Sequence, residues 1–225
     1  MVGAIVPAGG VGKRLGAKGH KSFVKLAGEP MLVWSLRALD LTREINQIVL
    51  VVHPDDLAAA RRLVAAKRFR KVSRIVAGGD TRMQSVACGL AALAPEMEWV
   101  LVHDAARPLV TGDLIRAVVR GGIRFGSAIA AVPVIPTIKE VDKGAVVATL
   151  DRTRLWEVQT PQVFRRDLLE EAHLSGRADG IEATDDSMLV ERLSRRRVRI
   201  VMGSHRNLKV TTPEDLAIAE ALIKH

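Results

Sequence analysis

Apolar, β-branched runs alternate along the chain with stretches in which apolar residues recur every three or four positions. Ala4-Ile5-Val6, residues 48–52, Ile75-Val76, residues 99–102 and residues 128–132 read as strands. Leu32, Leu36 and Leu39 form a stripe at helical spacing, as do Met83, Val86, Leu90 and Leu93, and as do Leu114, Ile115, Val118 and Val119. The strand runs are apolar throughout rather than at alternate positions, so both of their faces are buried. With helices between them, they predict an α/β fold whose mostly parallel, twisted sheet is covered by helices on both faces. Ligands of such sheets bind beyond the carboxyl ends of the strands, which narrows the search to loops 8–22, 78–80 and 103–108.

The rhythm breaks at 135–155. Pro133 and Pro136 interrupt it, and Val141, Val146 and Val147 flank an Asp142-Lys143-Gly144 turn, the pattern of a β-hairpin arm. An arm with little core of its own packs on something, and a second copy of the chain is the simplest candidate, so a homodimer through 135–155 is expected. Beyond it, helices are expected near 166–173 and 185–193, a strand at 198–201 and a last helix from Pro213. There, Thr212-Pro213-Glu214-Asp215 offers a hydroxyl cap, proline in the first turn and an acid three residues after the cap. The 225 residues fit a single domain, 1–225, with the arm as a subregion.

Composition adds limits. With 48% hydrophobic and 26% charged residues the chain is an ordinary folded globule rather than a disordered one. The lone Cys88 can form neither an internal disulfide nor a cysteine cluster, and no apolar run reaches 18 residues. A cytoplasmic protein without membrane contact is therefore expected. The net charge of +9 favours anionic partners: nucleotides, sugar phosphates or nucleic acid. Basic runs such as Arg61-Arg62 are more commonly solvated helix ends, and a chain with no tyrosine and 3% aromatics is poorly equipped to stack bases. Nucleic acid is not an expected partner.

The first strand runs into Pro7-Ala8-Gly9-Gly10-Val11-Gly12-Lys13-Arg14-Leu15-Gly16, where small residues let backbone amides approach a phosphate and Lys13 and Arg14 add charge. It is not an ATPase P-loop, because Gly12-Lys13 is followed by Arg14 and Pro7 stands where the first glycine belongs. Nor is it the dinucleotide fingerprint, whose last glycine falls on Leu15.

Taken with Lys21 and the segment Leu26-Ala27-Gly28-Glu29-Pro30, this loop resembles the sugar-nucleotide pyrophosphorylase and cytidylyltransferase superfamily, of nucleotide-diphospho-sugar transferase type with a Rossmann-like sheet. Further segments follow in order: Gly78-Gly79-Asp80-Thr81-Arg82 with Ser85, His103-Asp104-Ala105-Ala106-Arg107-Pro108, Asp151-Arg152, Thr160-Pro161-Gln162, Thr184-Asp185-Asp186 and Asn207-Leu208-Lys209-Val210-Thr211. Together they look like the family of 2-C-methyl-D-erythritol 4-phosphate cytidylyltransferases of isoprenoid biosynthesis. Two departures stand out: His20-Lys21-Ser22 replaces the frequent Pro-Lys-Gln, and Gly9 replaces an alanine.

The resemblance implies attack by the phosphate of methylerythritol phosphate on the α-phosphorus of CTP. Cations would neutralise and align two anions, and no nucleophilic side chain would be needed. It assigns Arg14 and Lys21 to the α-phosphate and departing pyrophosphate, with Ala8, Gly9 and Gly10 shaping the loop. Gly79, Asp80 and Ser85, with Arg82, fall to the cytidine side; Asp80 could instead cap the following helix. Asp104 and Ala105 end a buried strand, where the carboxylate could hold Mg2+ or orient a hydroxyl, or cap the turn that follows. His103 reads as structural. Arg152, Thr160, Thr184 and Lys209 would hold the polyol phosphate, Arg152 and Lys209 acting in catalysis, and Arg152, just after the arm, could reach a partner subunit's site. A cytidylyltransferase for another polyol phosphate, such as ribitol 5-phosphate, and a non-catalytic nucleotide- or RNA-binding module remain as alternatives.

Overall fold

In a computed structural model of the chain, which describes residues 1–10, 12, 20–181, 183–194 and 197–224, the predicted alternation takes shape as a seven-stranded sheet between two helical layers. The first half comprises β1 (Val2–Pro7), a short hairpin of β2 (Lys25–Leu26) and β3 (Glu29–Pro30), α1 (Met31–Leu41), β4 (Gln47–Val52), α2 (Leu57–Lys67), β5 (Val72–Ala77), α3 (Arg82–Ala92) and β6 (Trp99–Val102). The second comprises α4 (Gly112–Phe125), β7 (Ser127–Pro133), the hairpin β8 (Lys139–Asp142) and β9 (Ala145–Thr149), β10 (Trp156–Arg165), α5 (Arg166–Ala178), α6 (Asp186–Ser194), β11 (Arg199–Met202) and α7 (Pro213–Lys224).

The strand order is β11-β7-β10-β6-β1-β4-β5. Every pairing is parallel except those of β10, which runs antiparallel to both β6 and β7. The continuous apolar runs are explained by burial on both faces. Ala4 and Val6 of β1, with Ile48, Leu50 and Val52 of β4, pack with the stripes of α1 and α4. Ile5, Val49 and Val51 point the other way, towards Val86 and Leu90 of α3 and Leu169 of α5. Helix α7 closes a third, smaller core with Leu26, Met31 and Val210. Its start is as the sequence predicts: the Asp215 amide donates to Thr212 Oγ1 at 3.2 Å, and the Thr212 amide to Asp215 Oδ2 at 2.9 Å.

The arm is a two-stranded hairpin whose turn residues Lys143 and Gly144 take φ of 47° and 83°, the left-handed pair that a tight hairpin turn needs. Val141, Val146 and Val147 are 56–61% exposed on it. Among the described residues no helix is long and apolar enough to cross a membrane.

Candidate active site

The carboxyl ends of β1, β5 and β6 open on one cavity of about 230 Å³, walled by Ala8, Gly9, Gly10, Lys21, Gly79, Asp80, Ser85, Asp104 and Lys209 among others. The first loop is pinned at its neck. The Ala8 amide donates to Val51 O at 2.7 Å, so Ala8 contributes shape rather than a free donor. Ser22 Oγ donates to Ala8 O at 2.7 Å, and the Lys21 amide to Gly10 O at 3.2 Å. A Cβ on Gly9 would stand 3.2 Å from the backbone nitrogen of His53, so the loop crosses the end of β4 closely here. His20 pairs with Asp56 at 2.7 Å and stacks on His53, placing Lys21 at the cavity wall. Arg14, with Lys13 and Lys18, lies outside the described residues.

Behind the β5 loop, Thr81 and Gln84 form a reciprocal capping box on α3, with the Gln84 amide 3.1 Å from Thr81 Oγ1. The cap is therefore Thr81, and the Asp80 carboxylate is left to face the cavity. Ser85 Oγ donates to Gly79 O at 3.3 Å, and a Cβ on Gly79 would stand 2.6 Å from that of Gln84, so only glycine lets strand and helix meet this closely.

The cavity floor is a charge network. Asp104 Oδ1 accepts from Arg82 Nε at 3.1 Å, and Oδ2 lies 2.6 Å from Lys209 Nζ. Arg82 Nη1 donates to Asp186 Oδ2 at 2.8 Å. Burial pushes the Asp104 carboxyl up, but Arg82 and then Lys209 outweigh it and hold the group well below the usual carboxylate range. Burial likewise works against the Arg82 charge, and Asp186 and Asp104 more than restore it. Asp104 thus does not cap the turn after β6 with its side chain; it bridges cations.

A second cavity, of about 430 Å³, shares Arg82, Asp104 and Lys209 with the first and is walled further by Arg107, Thr160, Gln162, Thr184, Asp185 and Glu191. Thr184 is exposed there. The Thr160 hydroxyl accepts from the Asp104 amide at 3.0 Å and faces His103 Nδ1 at 3.1 Å, while His103 Nε2 donates to Arg107 O at 3.2 Å. Donating to Nδ1 commits the hydroxyl proton, so Thr160 orients Asp104 and keeps one lone pair for a ligand. Burial lowers the His103 pKa to about 4 and leaves the ring neutral, in keeping with its structural reading. Ala105 is buried, its amide donating to Pro7 O at 3.3 Å, and forms the backbone of the wall.

Arg152 stands apart. It is exposed at the base of the arm, donates to Ile135 O, and lines neither cavity. Conversely, the sequence motifs contained Arg107, Asp185, Asp186 and Asn207 without singling them out. Arg107 clamps Asn207 O at 2.7 Å and Val158 O at 3.2 Å, fixing the segment that carries Lys209 to β10. Asp185 gathers Gln162 at 2.8 Å and Ser187 at 2.7 Å. The only signal for them was their place inside the polar motifs quoted from the sequence.

Two cavities that meet over one carboxylate flanked by Arg82 and Lys209 can bring two anions together. A family model described as "IspD: 2-C-methyl-D-erythritol 4-phosphate cytidylyltransferase" matches residues 2–225. The chain belongs to this cytidylyltransferase family. A 2-C-methyl-D-erythritol 4-phosphate cytidylyltransferase of Pelotomaculum thermopropionicum is 46% identical over 225 residues, 99% of this chain and 94% of the relative. That of Desulforamulus reducens is 43% identical over 98% of this chain and 95% of its own length. Among solved structures, the 4-diphosphocytidyl-2C-methyl-D-erythritol synthase of Anaerococcus prevotii superposes with a TM-score of 0.88 at 30% identity, covering 100% of this chain and 98% of that one. The cytidylyltransferase of Thermus thermophilus does so with a TM-score of 0.80 at 33% identity, covering 99% and 98%. The cytidylyltransferase fold thus accounts for the sheet order as well as for the motifs.

Proposed function

We propose that the protein transfers CMP from CTP to 2-C-methyl-D-erythritol 4-phosphate, giving 4-diphosphocytidyl-2-C-methyl-D-erythritol and pyrophosphate, a step of isoprenoid precursor synthesis. The observation that carries this reading is the pair of cavities sharing the Arg82–Asp104–Lys209 wall in a chain matched end to end by that family. One cavity takes the nucleotide and the other the polyol phosphate. A polyol-phosphate oxygen bonds to the α-phosphorus as the bond from that phosphorus to the pyrophosphate oxygen breaks, and the electron pair leaves with pyrophosphate.

Lys21, at the cavity wall, and Arg14 offset charge on the α-phosphate and leaving group, where each such donor is worth about 3 kcal/mol. Gly79, Asp80 and Ser85 recognise cytosine, with an acceptor for its exocyclic amine. Lys209 reaches both ligands from between the cavities, Arg82 holds Asp104 in place, and Thr184 and the spare lone pair of Thr160 meet polyol hydroxyls.

Among the described residues no group of three acidic, histidine or cysteine side chains could hold a metal, and both Asp104 oxygens already meet cations. The described donors thus make no site that holds a metal by protein alone: Mg2+ would be carried on the nucleotide phosphates, keeping its waters, and Asp104 would join it only by exchanging its contact with Lys209. Bound there, it would add positive charge to the triphosphate. The exposed arm supports a homodimer in which Arg152 serves the partner's cavity, and the single Cys88 suits a cytoplasmic enzyme.

The test is to supply CTP and Mg2+ with a panel of polyol phosphates and follow pyrophosphate. Release with methylerythritol phosphate, and at least about a hundredfold lower kcat/KM with ribitol 5-phosphate, is expected. Release with ribitol 5-phosphate alone, or with neither, rejects the reading.

A further inference from the structure

His173 belongs to neither cavity, yet it begins a line of contacts that ends between them. Helix α5 carries it buried at 6% exposure, with Nε2 3.0 Å from Asp186 Oδ1. Asp186, 1% exposed at the start of α6, gives its other oxygen to Arg82 Nη1 at 2.8 Å. Arg82 Nε continues to Asp104 at 3.1 Å, and Asp104 to Lys209 at 2.6 Å. The packing that makes this possible lies nearly one turn on, at Gly176. A Cβ there would stand 2.6 Å from Leu189 Cδ2 and 3.1 Å from Met83 Cε, so α5 settles directly on α6 and α3.

The ring's orientation follows from its surroundings. His173 Nδ1 is buried with no hydrogen-bond partner among the described residues. A proton on Nδ1 alone would bury an unpaired donor and set the Nε2 lone pair against a carboxylate, so the proton sits on Nε2 and is donated to Asp186. Asp186 is thereby fixed. An arginine gripped at two points keeps one rotamer only if both carboxylates hold still, and Arg82 is gripped by Asp186 on one side and Asp104 on the other.

We propose that His173 is a positioning residue for phosphoryl transfer: through Asp186 it fixes Arg82, and so fixes the carboxylate and lysine where the two substrates meet. The inference rests on the proposed function. It separates alignment from affinity, because each anion is bound by several groups while in-line attack depends on their exact placement, and a shift of about 1 Å can cost about a hundredfold in rate.

The experiment measures kcat, KM for CTP and urea unfolding for the parent, His173→Leu and His173→Gln. Leucine keeps the bulk and loses the donor; glutamine puts an N–H at about the reach of Nε2. Expected are a kcat about tenfold lower in His173→Leu with KM for CTP within about twofold, and recovery to within about twofold of the parent in His173→Gln. If His173→Leu is insoluble, His173→Asn, polar but too short to reach Asp186, replaces it with the same expectation. A donor-less variant that unfolds earlier but turns over at the parental kcat overturns the inference, as does glutamine no better than leucine, or failure of all three to fold. A parent that releases no pyrophosphate from CTP and methylerythritol phosphate instead refutes the function itself.

Discussion

At Asp104 a single buried carboxylate meets Arg82 from one side and Lys209 from the other, and it is the pairing rather than the acid alone that makes the site. Lys209→Ala removes one of the two cations shared by both cavities, and kcat is expected to fall by about 10²–10³, the usual cost of one donor to developing charge, in steady-state pyrophosphate release. The neighbour His103 makes a different statement. Its folded pKa of about 4 lies below the unfolded value of 6.5, so between the two the unfolded chain binds a proton that the folded one refuses. Stability should therefore decline as pH falls from 6.5 towards 4, and between pH 7 and pH 4.5 His103→Gln should be spared roughly 2 kcal/mol of that loss. Urea titrations of both proteins at pH 7 and pH 4.5 decide it, and equal losses would remove the claim. Asp104 stood out because charge has little structural use at the end of a buried strand, whereas Lys209 was reached only through the resemblance of its segment to the family. Arg107 and Asp186 did not stand out, because Arg107's guanidinium partners and the arginine that Asp186 holds lie 51 to 104 residues away in sequence, which no local pattern encodes.

The elements legible in the sequence were those whose apolar pattern survives unbroken. β4, β6 and the stripes of α1, α3 and α4 are of that kind, whereas α2 and β10 were missed for separate reasons. Only Ala60 of α2 is fully buried, so the helix lacks a strong stripe. β10 carries Pro161 in its middle, which argues against a strand, and its ladder to β7 slips between Val158 and Gln162, the place where a proline is tolerated. That antiparallel strand delivers Thr160 and Gln162 to the second cavity, so the missed element is one of those that build the site. A tight contact elsewhere gives an element-scale test. A Cβ on Gly89 of α3 would stand 2.4 Å from Ile5 Cγ2 in the core. Gly89→Ala gains helix propensity of about 1 kcal/mol but overpacks this crossing, and a net loss of about 1–2 kcal/mol is expected. The urea midpoint should drop at unchanged m.

For the whole molecule, the question is what the arm is for. A two-stranded hairpin is marginal by itself, and this one leaves three valines more than half exposed. Introducing glutamate at Val146 and Val147 should turn a dimer into a monomer in sedimentation at micromolar concentration. Whether the proposed dimer is also the catalyst can be tested at Arg152, which lines neither cavity of its own chain. Suppose that it serves the partner's cavity, while Lys209 serves its own. Arg152→Ala and Lys209→Ala dimers are then each nearly inactive, because every site lacks one residue. In a mixed dimer the two defects fall on the same site and the other is whole. Random re-association makes half of the dimers mixed, so a one-to-one mixture should recover about a quarter of the parental rate. If Arg152 instead acts within its own chain, each site in a mixed dimer keeps one defect, and unfolding and refolding the two variants together will recover nothing.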